Sequence, residues 1–158
     1  MSKQASNFYS PALTEYPKHW TVMTNLIVLD NTRYPNVEME LDTGTSEILL
    51  DEATYIRFTD LIGGPVTNCG GQTGILPQYY RKDKDTLTIE IGGKSYPLTM
   101  ESLKTTGPPF PSATGCDRSI IWLRVDKHTQ SILGAPFFKE YYVYFDEEKT
   151  RVGVGKNI

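Results

Sequence analysis

The chain has 158 residues, 39% of them hydrophobic and 22% charged, a globular composition that excludes a disordered chain and bounds it at about one domain. Sixteen Lys and Arg stand against nineteen Asp and Glu, so a net charge of −3 supplies no basic face for nucleic acid. No apolar run approaches the roughly 18 residues that span a bilayer, so no membrane partner is expected. Thirteen Gly, ten Pro and 11% aromatic residues suit many short strands joined by turns.

Residues 1–18 are polar and rich in turn formers, and are expected to form a leading arm or strand. The first seven lack the apolar stretch of a signal peptide. Residues 20–29 predict a strand, closed by a turn at Asp30-Asn31-Thr32-Arg33. Residues 36–41 alternate, with Val37, Met39 and Leu41 on one face and Glu38 and Glu40 on a second, solvated face. The strand runs directly into Asp42-Thr43-Gly44-Thr45-Ser46 and then Ile48-Leu49-Leu50. Asp51 is placed to cap a short helix whose apolar positions are Ile56, Leu61 and Ile62, ending at Gly63-Gly64. Residues 65–85 read as loop, with the run Arg81-Lys82-Asp83-Lys84-Asp85 at a solvated hairpin tip. Residues 86–91 alternate again, with Leu87, Ile89 and Ile91 inward, and Gly92-Gly93 turns the chain back as a hairpin. Residues 105–118 read as irregular. Residues 119–125, 141–145 and 151–154 are further strands, with Ile132-Leu133-Gly134 and a helical turn at 136–139 between the first two. The expectation is one mostly-β domain over 1–158, with short helices and no internal repeat.

The Asp42 segment is where chemistry would sit. A carboxylate at the end of an alternating strand, followed by a glycine without Cβ, lies on a tight turn that ligand or backbone can approach closely. Thr43, Thr45 and Ser46 surround it with hydroxyls able to orient it and favour its ionised form. The same residues suit an Asx-type turn that satisfies only local backbone groups, and the tripeptide leaves both readings open. Other features carry less. His19 and His128 are isolated, and with Cys69 and Cys116 far apart they show no zinc-ligand spacing, so no metal is expected. Gly70-Gly71-Gln72-Thr73-Gly74 lacks the Gly-Lys-Ser/Thr of a phosphate loop, and Gly153-Val154-Gly155 has no helix after it. Tyr141, Tyr142, Tyr144 and Phe145 read as core and barrel wall. By composition alone the two cysteines are buried thiols.

With its flanks, Met39-Glu40-Leu41-Asp42-Thr43-Gly44-Thr45-Ser46 resembles the active-site loop of pepsin-like aspartic proteases. The resemblance continues in order along the chain. Residues 87–98 look like the hairpin of that family's C-terminal lobe. Ser131-Ile132-Leu133-Gly134-Ala135-Pro136-Phe137-Phe138 is similar to the segment that threads the catalytic loop. Tyr141-Tyr142-Val143-Tyr144-Phe145-Asp146 and Arg151-Val152-Gly153-Val154-Gly155 match the last two strands. Phe8-Tyr9-Ser10-Pro11 and His19-Trp20-Thr21-Val22 resemble the stretch that opens the lobe.

The resemblance implies a single C-terminal-type lobe: a six-stranded, antiparallel, closed or partly open β-barrel with short helices. In the family, two lobes each contribute one such Asp, and two carboxylates about 3 Å apart share one proton. The charged partner is general base to a water and the protonated partner donates to the peptide carbonyl, with no cofactor. Carried over, Asp42 is one catalytic aspartate and Thr43 makes cross-lobe hydrogen bonds. Thr45 donates to the outer oxygen of Asp42, and Gly44, Thr45 and Ser46 meet the substrate main chain. Ile132, Leu133 and Gly134 thread the loop. Cys69 and Cys116 would form the lobe's disulfide, worth roughly 4 kcal/mol in the chain-entropy model. That disulfide implies an oxidising compartment and a secreted or endolysosomal parent. With one Asp-Thr-Gly and no flap hairpin, the isolated monomer is expected to be inert. Its partner would be the N-terminal lobe of an aspartic protease, or a second copy paired as in retroviral-type proteases, acting on a peptide or protein substrate. A non-catalytic peptide- or protein-binding module that kept the fold is the rival reading. Glu47, at a position commonly apolar, and Ala135, where Asp is frequent, depart from the family pattern.

Overall fold

A computed structural model of the chain describes residues 7–9, 20–29, 32–63, 68–69, 72–105 and 119–157. In chain order these contain β1 (Asn7–Tyr9), β2 (Thr21–Val28), β3 (Thr32–Leu41), β4 (Ile48–Asp51), α1 (Glu52–Ile62), β5 (Asn68–Cys69) and β6 (Gln72–Ile75). A 3₁₀ turn (Pro77–Tyr79) precedes β7 (Asp85–Ile91), β8 (Lys94–Thr99), α2 (Met100–Leu103), β9 (Ile121–Leu123) and β10 (Val125–His128). Then come β11 (Ile132–Leu133), α3 (Ala135–Glu140), β12 (Tyr141–Asp146) and β13 (Arg151–Lys156).

The protein is mainly β with short helices, as expected, but its strand inventory is richer than six antiparallel strands. Thirteen strands among the described residues form three sheets, and the pairings of β3 with β11 and of β4 with β10 are parallel. The largest sheet has the order β10-β4-β11-β3-β2-β7-β8 and ends in two edges among the described strands. The smaller sheets are β1-β13-β12 and β5-β6-β9. Of the last of these, β5 and β6, with the 3₁₀ turn, occupy a stretch expected to be loop, while β9 falls in an expected strand.

Local chemistry accounts for most of these elements. Leu87, Ile89 and Ile91 of β7 are buried, with Thr86 and Thr88 buried beside them, and Gly92 and Gly93 take φ of 57° and 80°, as a two-residue hairpin turn into β8 requires. The run 81–85 lies before β7 rather than at a hairpin tip, and Asp85 is already paired with Thr99. β3 begins at Thr32 rather than at residue 36, because a bulge carries the strand across Pro35. There Asn36 takes φ of 58° and its N–H donates to Asn25 Oδ1 at 3.1 Å. Asp51 caps α1 as expected, accepting the Thr54 N–H at 3.0 Å, and Gly63 closes the helix at φ 75°. The buried stripe of α1 is Thr54, Tyr55, Phe58, Thr59 and Ile62, while Ile56 is 48% exposed. The two aromatic rings claim the core, and Ile56 lies about 100° round the helix from Tyr55.

Buried apolar side chains from β2, β3, β4, α1, β7, β8 and α3 form one cluster, with Phe58 and Phe137 its largest fully buried members. Phe137 stacks on Tyr141 at 5.0 Å between ring centroids and meets Tyr96 edge-on at 6.2 Å, so α3 is tied to β8 and β12. The Tyr141 hydroxyl donates to the Pro97 carbonyl at 2.7 Å. Tyr141 is therefore core, as expected, whereas Tyr144 is 57% exposed on the opposite side of β12. Cys116, His19, Asp30, Asn31, nearly all of the leading arm and most of 105–118 lie outside the described residues. Of Cys69 only the backbone is described, so the disulfide lies outside them too.

Candidate active site

β3 delivers Asp42 and β4 carries the chain away, and between these two strands lies β11. Ile132 and Leu133 run parallel to Glu40 and Leu41 of β3, and Ile132 is also paired with Leu49 of β4. The chain leaving β3 thus passes over the end of β11 before it returns in β4. Backbone hydrogen bonds fix this crossing. The Glu40 N–H donates to the Ser131 carbonyl at 3.1 Å, the Asp42 N–H to that of Leu133 at 3.0 Å, and the Ala135 N–H to that of Thr45 at 2.7 Å. On the outer side the Leu41 N–H donates to the Trp20 carbonyl at 2.7 Å.

Ile132, Leu133 and Gly134 therefore run between the strands that enter and leave the Asp42 loop. A Cβ on Gly134 would stand 2.1 Å from the Glu47 carbonyl oxygen and 2.4 Å from that of Thr45. Only a glycine passes between those two carbonyls.

Within the loop, the Asp42 carboxylate is held by its own turn. The Gly44 N–H donates to Oδ1 at 2.9 Å, and the Thr45 hydroxyl to Oδ2 at 2.7 Å. The two bonds address different oxygens and set the plane of the carboxylate. The Thr45 N–H adds a turn bond to the Asp42 carbonyl at 3.3 Å. Asp42 and Thr45 are half-buried, while Thr43, Gly44 and Ser46 are exposed, so the loop presents an oriented carboxylate and its hydroxyls at the surface. An oriented carboxylate of this kind can accept or deliver a proton.

Sequence reasoning missed several supports. Ser131 joins the threading segment to the α1 cap, since the Asp51 N–H donates to its Oγ at 3.2 Å. Ala135 stands out in the sequence only as a departure, yet its N–H holds the loop. Trp20 and Ser131 act through their carbonyls, which no side-chain pattern reveals. Glu40 is a correction: at 9% exposure it is buried rather than solvated, at a point where β3 is an interior strand paired with β2 on one side and β11 on the other. Burial, and then Asp126, push the Glu47 carboxyl above its ordinary value against the opposing pull of Arg124. His128 is exposed, and its Nδ1 accepts the Gln130 N–H at 3.2 Å.

Comparison with known proteins agrees with this geometry. The family model described as eukaryotic aspartyl protease matches residues 4–157. Chymosin of Camelus dromedarius is 28% identical over 127 residues, covering 75% of this chain and 29% of that protein. Chymosin of Ovis aries is 30% identical over 128 residues, with the same two shares of 75% and 29%. The aspartic-type endopeptidase ctsD of Aspergillus fumigatus is 29% identical over 121 residues, covering 77% of this chain and 24% of its own. The crystal structure of the aspartic proteinase from Irpex lacteus matches with a TM-score of 0.79 at 19% identity, over 98% of this chain and 47% of that one, a likeness of fold. The chain spans about a quarter to under a third of the curated relatives and about half of the structural neighbour. It belongs to the eukaryotic aspartyl protease family.

Proposed function

We propose that the chain is the C-terminal-type lobe of a bilobal aspartic endopeptidase, supplying one catalytic carboxylate and half of a peptide-binding cleft. The observation that carries this reading is the Asp42 carboxylate, held by the Gly44 N–H and Thr45 hydroxyl on a loop threaded by Gly134. The share of the structural neighbour that the chain covers supports it as well.

Asp42 shares one proton with an aspartate from the partner lobe. In the charged state, one of the pair takes a proton from a water as that water attacks the peptide carbonyl. The other donates its proton to the carbonyl oxygen, giving a tetrahedral diol without a covalent intermediate. Thr45 and Gly44 keep the Asp42 oxygens aimed throughout, and Thr43 bonds to the partner loop. Gly44, Thr45 and Ser46 offer hydrogen-bond partners to the substrate main chain. A lone carboxylate cannot serve as acid and base in one step, so the isolated monomer is inert. The sheet β1-β13-β12 leaves β1 and β12 as its outer strands among the described residues, which offers an edge for a second lobe.

The Cys69–Cys116 disulfide belongs to this reading and places the parent protein in an oxidising compartment, secreted or endolysosomal. Intact mass with and without reductant and alkylation tests it: two alkylated thiols without reductant contradict the pairing.

Solution mass, together with pepstatin-sensitive cleavage at acid pH and Asp42→Ala as control, tests the function. Cleavage only after an N-terminal lobe is added supports the proposal. Cleavage by the chain as a dimer replaces it with self-pairing. Absence of cleavage in every pairing, with a partner held at a sheet edge, replaces it with a binding module.

A further inference from the structure

Residues 131–135 read Ser-Ile-Leu-Gly-Ala, so Ser131 carries the one polar side chain of the segment that runs between β3 and β4. It is 4% exposed. Its carbonyl accepts the Glu40 N–H at 3.1 Å, two residues before Asp42. Its Oγ accepts the Asp51 N–H at 3.2 Å and donates to Asp51 Oδ2 at 3.4 Å. The same Asp51 carboxylate receives the Thr54 N–H at 3.0 Å at the start of α1. One hydroxyl therefore ties the entry of β11 to the end of β4.

Position along the strand is what this tie can set. Ile132 and Leu133 are both buried, at 8% and 0%, so the apolar pattern of β11 opposes a one-residue slip only weakly. Backbone bonds repeat along a strand and re-form after a shift. Two features do mark one register, one at each end of β11. At its exit, a Cβ at position 134 would stand 2.1 Å from the Glu47 carbonyl oxygen, so only Gly134 fits there. At its entry, the Ser131 hydroxyl meets Asp51. Register in turn places the Leu133 carbonyl, which receives the Asp42 N–H at 3.0 Å.

We infer that Ser131 is a positioning residue for Asp42. By fixing β11 on Asp51, its hydroxyl holds the Leu133 carbonyl against the Asp42 N–H and so sets where the carboxylate stands. The catalytic consequence rests on the single-lobe reading; the coupling within the chain does not.

Amide hydrogen exchange, followed by NMR on the isolated chain, tests the coupling. The Glu40 and Asp42 amides face β11, whereas the Leu41 amide between them donates to the Trp20 carbonyl on the other side of β3. Ser131→Ala is expected to speed exchange at Glu40 and Asp42 by about tenfold relative to Leu41, as the loss of one hydrogen bond would. Asp51→Ala removes the helix cap but keeps the N–H that Ser131 accepts. It is expected to speed exchange at Thr54 and leave the ratio of Asp42 to Leu41 unchanged. Ser131→Cys, close in size and a weaker acceptor, is expected to act as alanine does and guards against an alanine variant that fails to fold. Equal acceleration at Leu41 reduces Ser131 to a general stabiliser and overturns the proposal. Unchanged exchange at Asp42, or an equal effect there from Asp51→Ala, overturns it too.

A second arm uses an enzyme reconstituted with an N-terminal lobe. Ser131→Ala is expected to lower kcat about tenfold with KM within about twofold, the pattern of a misplaced reacting group rather than of lost substrate binding. A change in KM alone, or in neither constant, overturns the positioning role. If no enzyme assembles with the unsubstituted chain, the single-lobe reading fails, while the exchange ratios still decide whether Ser131 positions Asp42.

Discussion

A methyl group added at Gly134 would meet two backbone carbonyl oxygens, neither of which can swing aside as a flexible side chain would. The backbone there is extended, at φ −109° and ψ −156°, so the requirement for glycine is purely one of space. Gly134→Ala is expected to cost more than the roughly 1–3 kcal/mol typical of overpacking, read by urea denaturation; unchanged stability contradicts the threading geometry. Thr21 presents the opposite case. Its hydroxyl is fully buried without a hydrogen-bond partner among the described residues, so Thr21→Val removes an unsatisfied group and is expected to stabilise by about 1 kcal/mol. A loss of stability would reveal a role for that hydroxyl. Glu47 carries a pH signature. Its carboxyl is raised above the unfolded value, chiefly by burial, so the folded protein holds that proton more tightly than the unfolded chain. The charged form is a cost above the raised value, and the effect vanishes once both states are protonated. Glu47→Gln is therefore expected to raise Tm at pH 7 and leave it unchanged near pH 3; a gain confined to low pH contradicts the sign.

At the scale of elements, burial and capping set the expected losses. Asp51→Ala removes the acceptor for both Thr54 donors at the start of α1 and is expected to cost about 1 kcal/mol in chemical denaturation. Phe137→Ala empties the junction of α3, β8 and β12 and is expected to cost roughly 3–5 kcal/mol; a loss under 1 kcal/mol would mean the junction repacks. These elements differ in how openly the sequence announces them. β7, its Gly-Gly turn and the Asp51 cap are legible because each depends on side-chain period or local turn chemistry. The first half of β3 is hidden, since Pro35 signals a break and only a bulge opposite Asn25 carries the strand through. β11 has two residues and no period at all. Its place between β3 and β4 is a matter of long-range pairing, visible in advance only through likeness to a family. The same division holds in the site. Asp42, Gly44 and Thr45 announce themselves as residue types, whereas Trp20 and Ala135 contribute backbone groups that any residue could carry, as does Ser131 beside its hydroxyl.

Considered whole, the molecule brings one oriented carboxylate to its surface. It matches its family nearly end to end yet spans about half of its structural neighbour. The acid–base chemistry that defines aspartic peptidases needs two carboxylates coupled closely enough to share a proton, and the proposed function makes Asp42 one of them. The direct measurement is the rate of pepstatin-sensitive cleavage of a fluorogenic peptide at acid pH by the chain alone, and by the chain mixed with a separately prepared N-terminal lobe. The account predicts no cleavage above background from the chain alone, cleavage from the mixture, and loss of that cleavage with Asp42→Ala. Cleavage by the monomer alone, or a mixture whose activity survives Asp42→Ala, would contradict it.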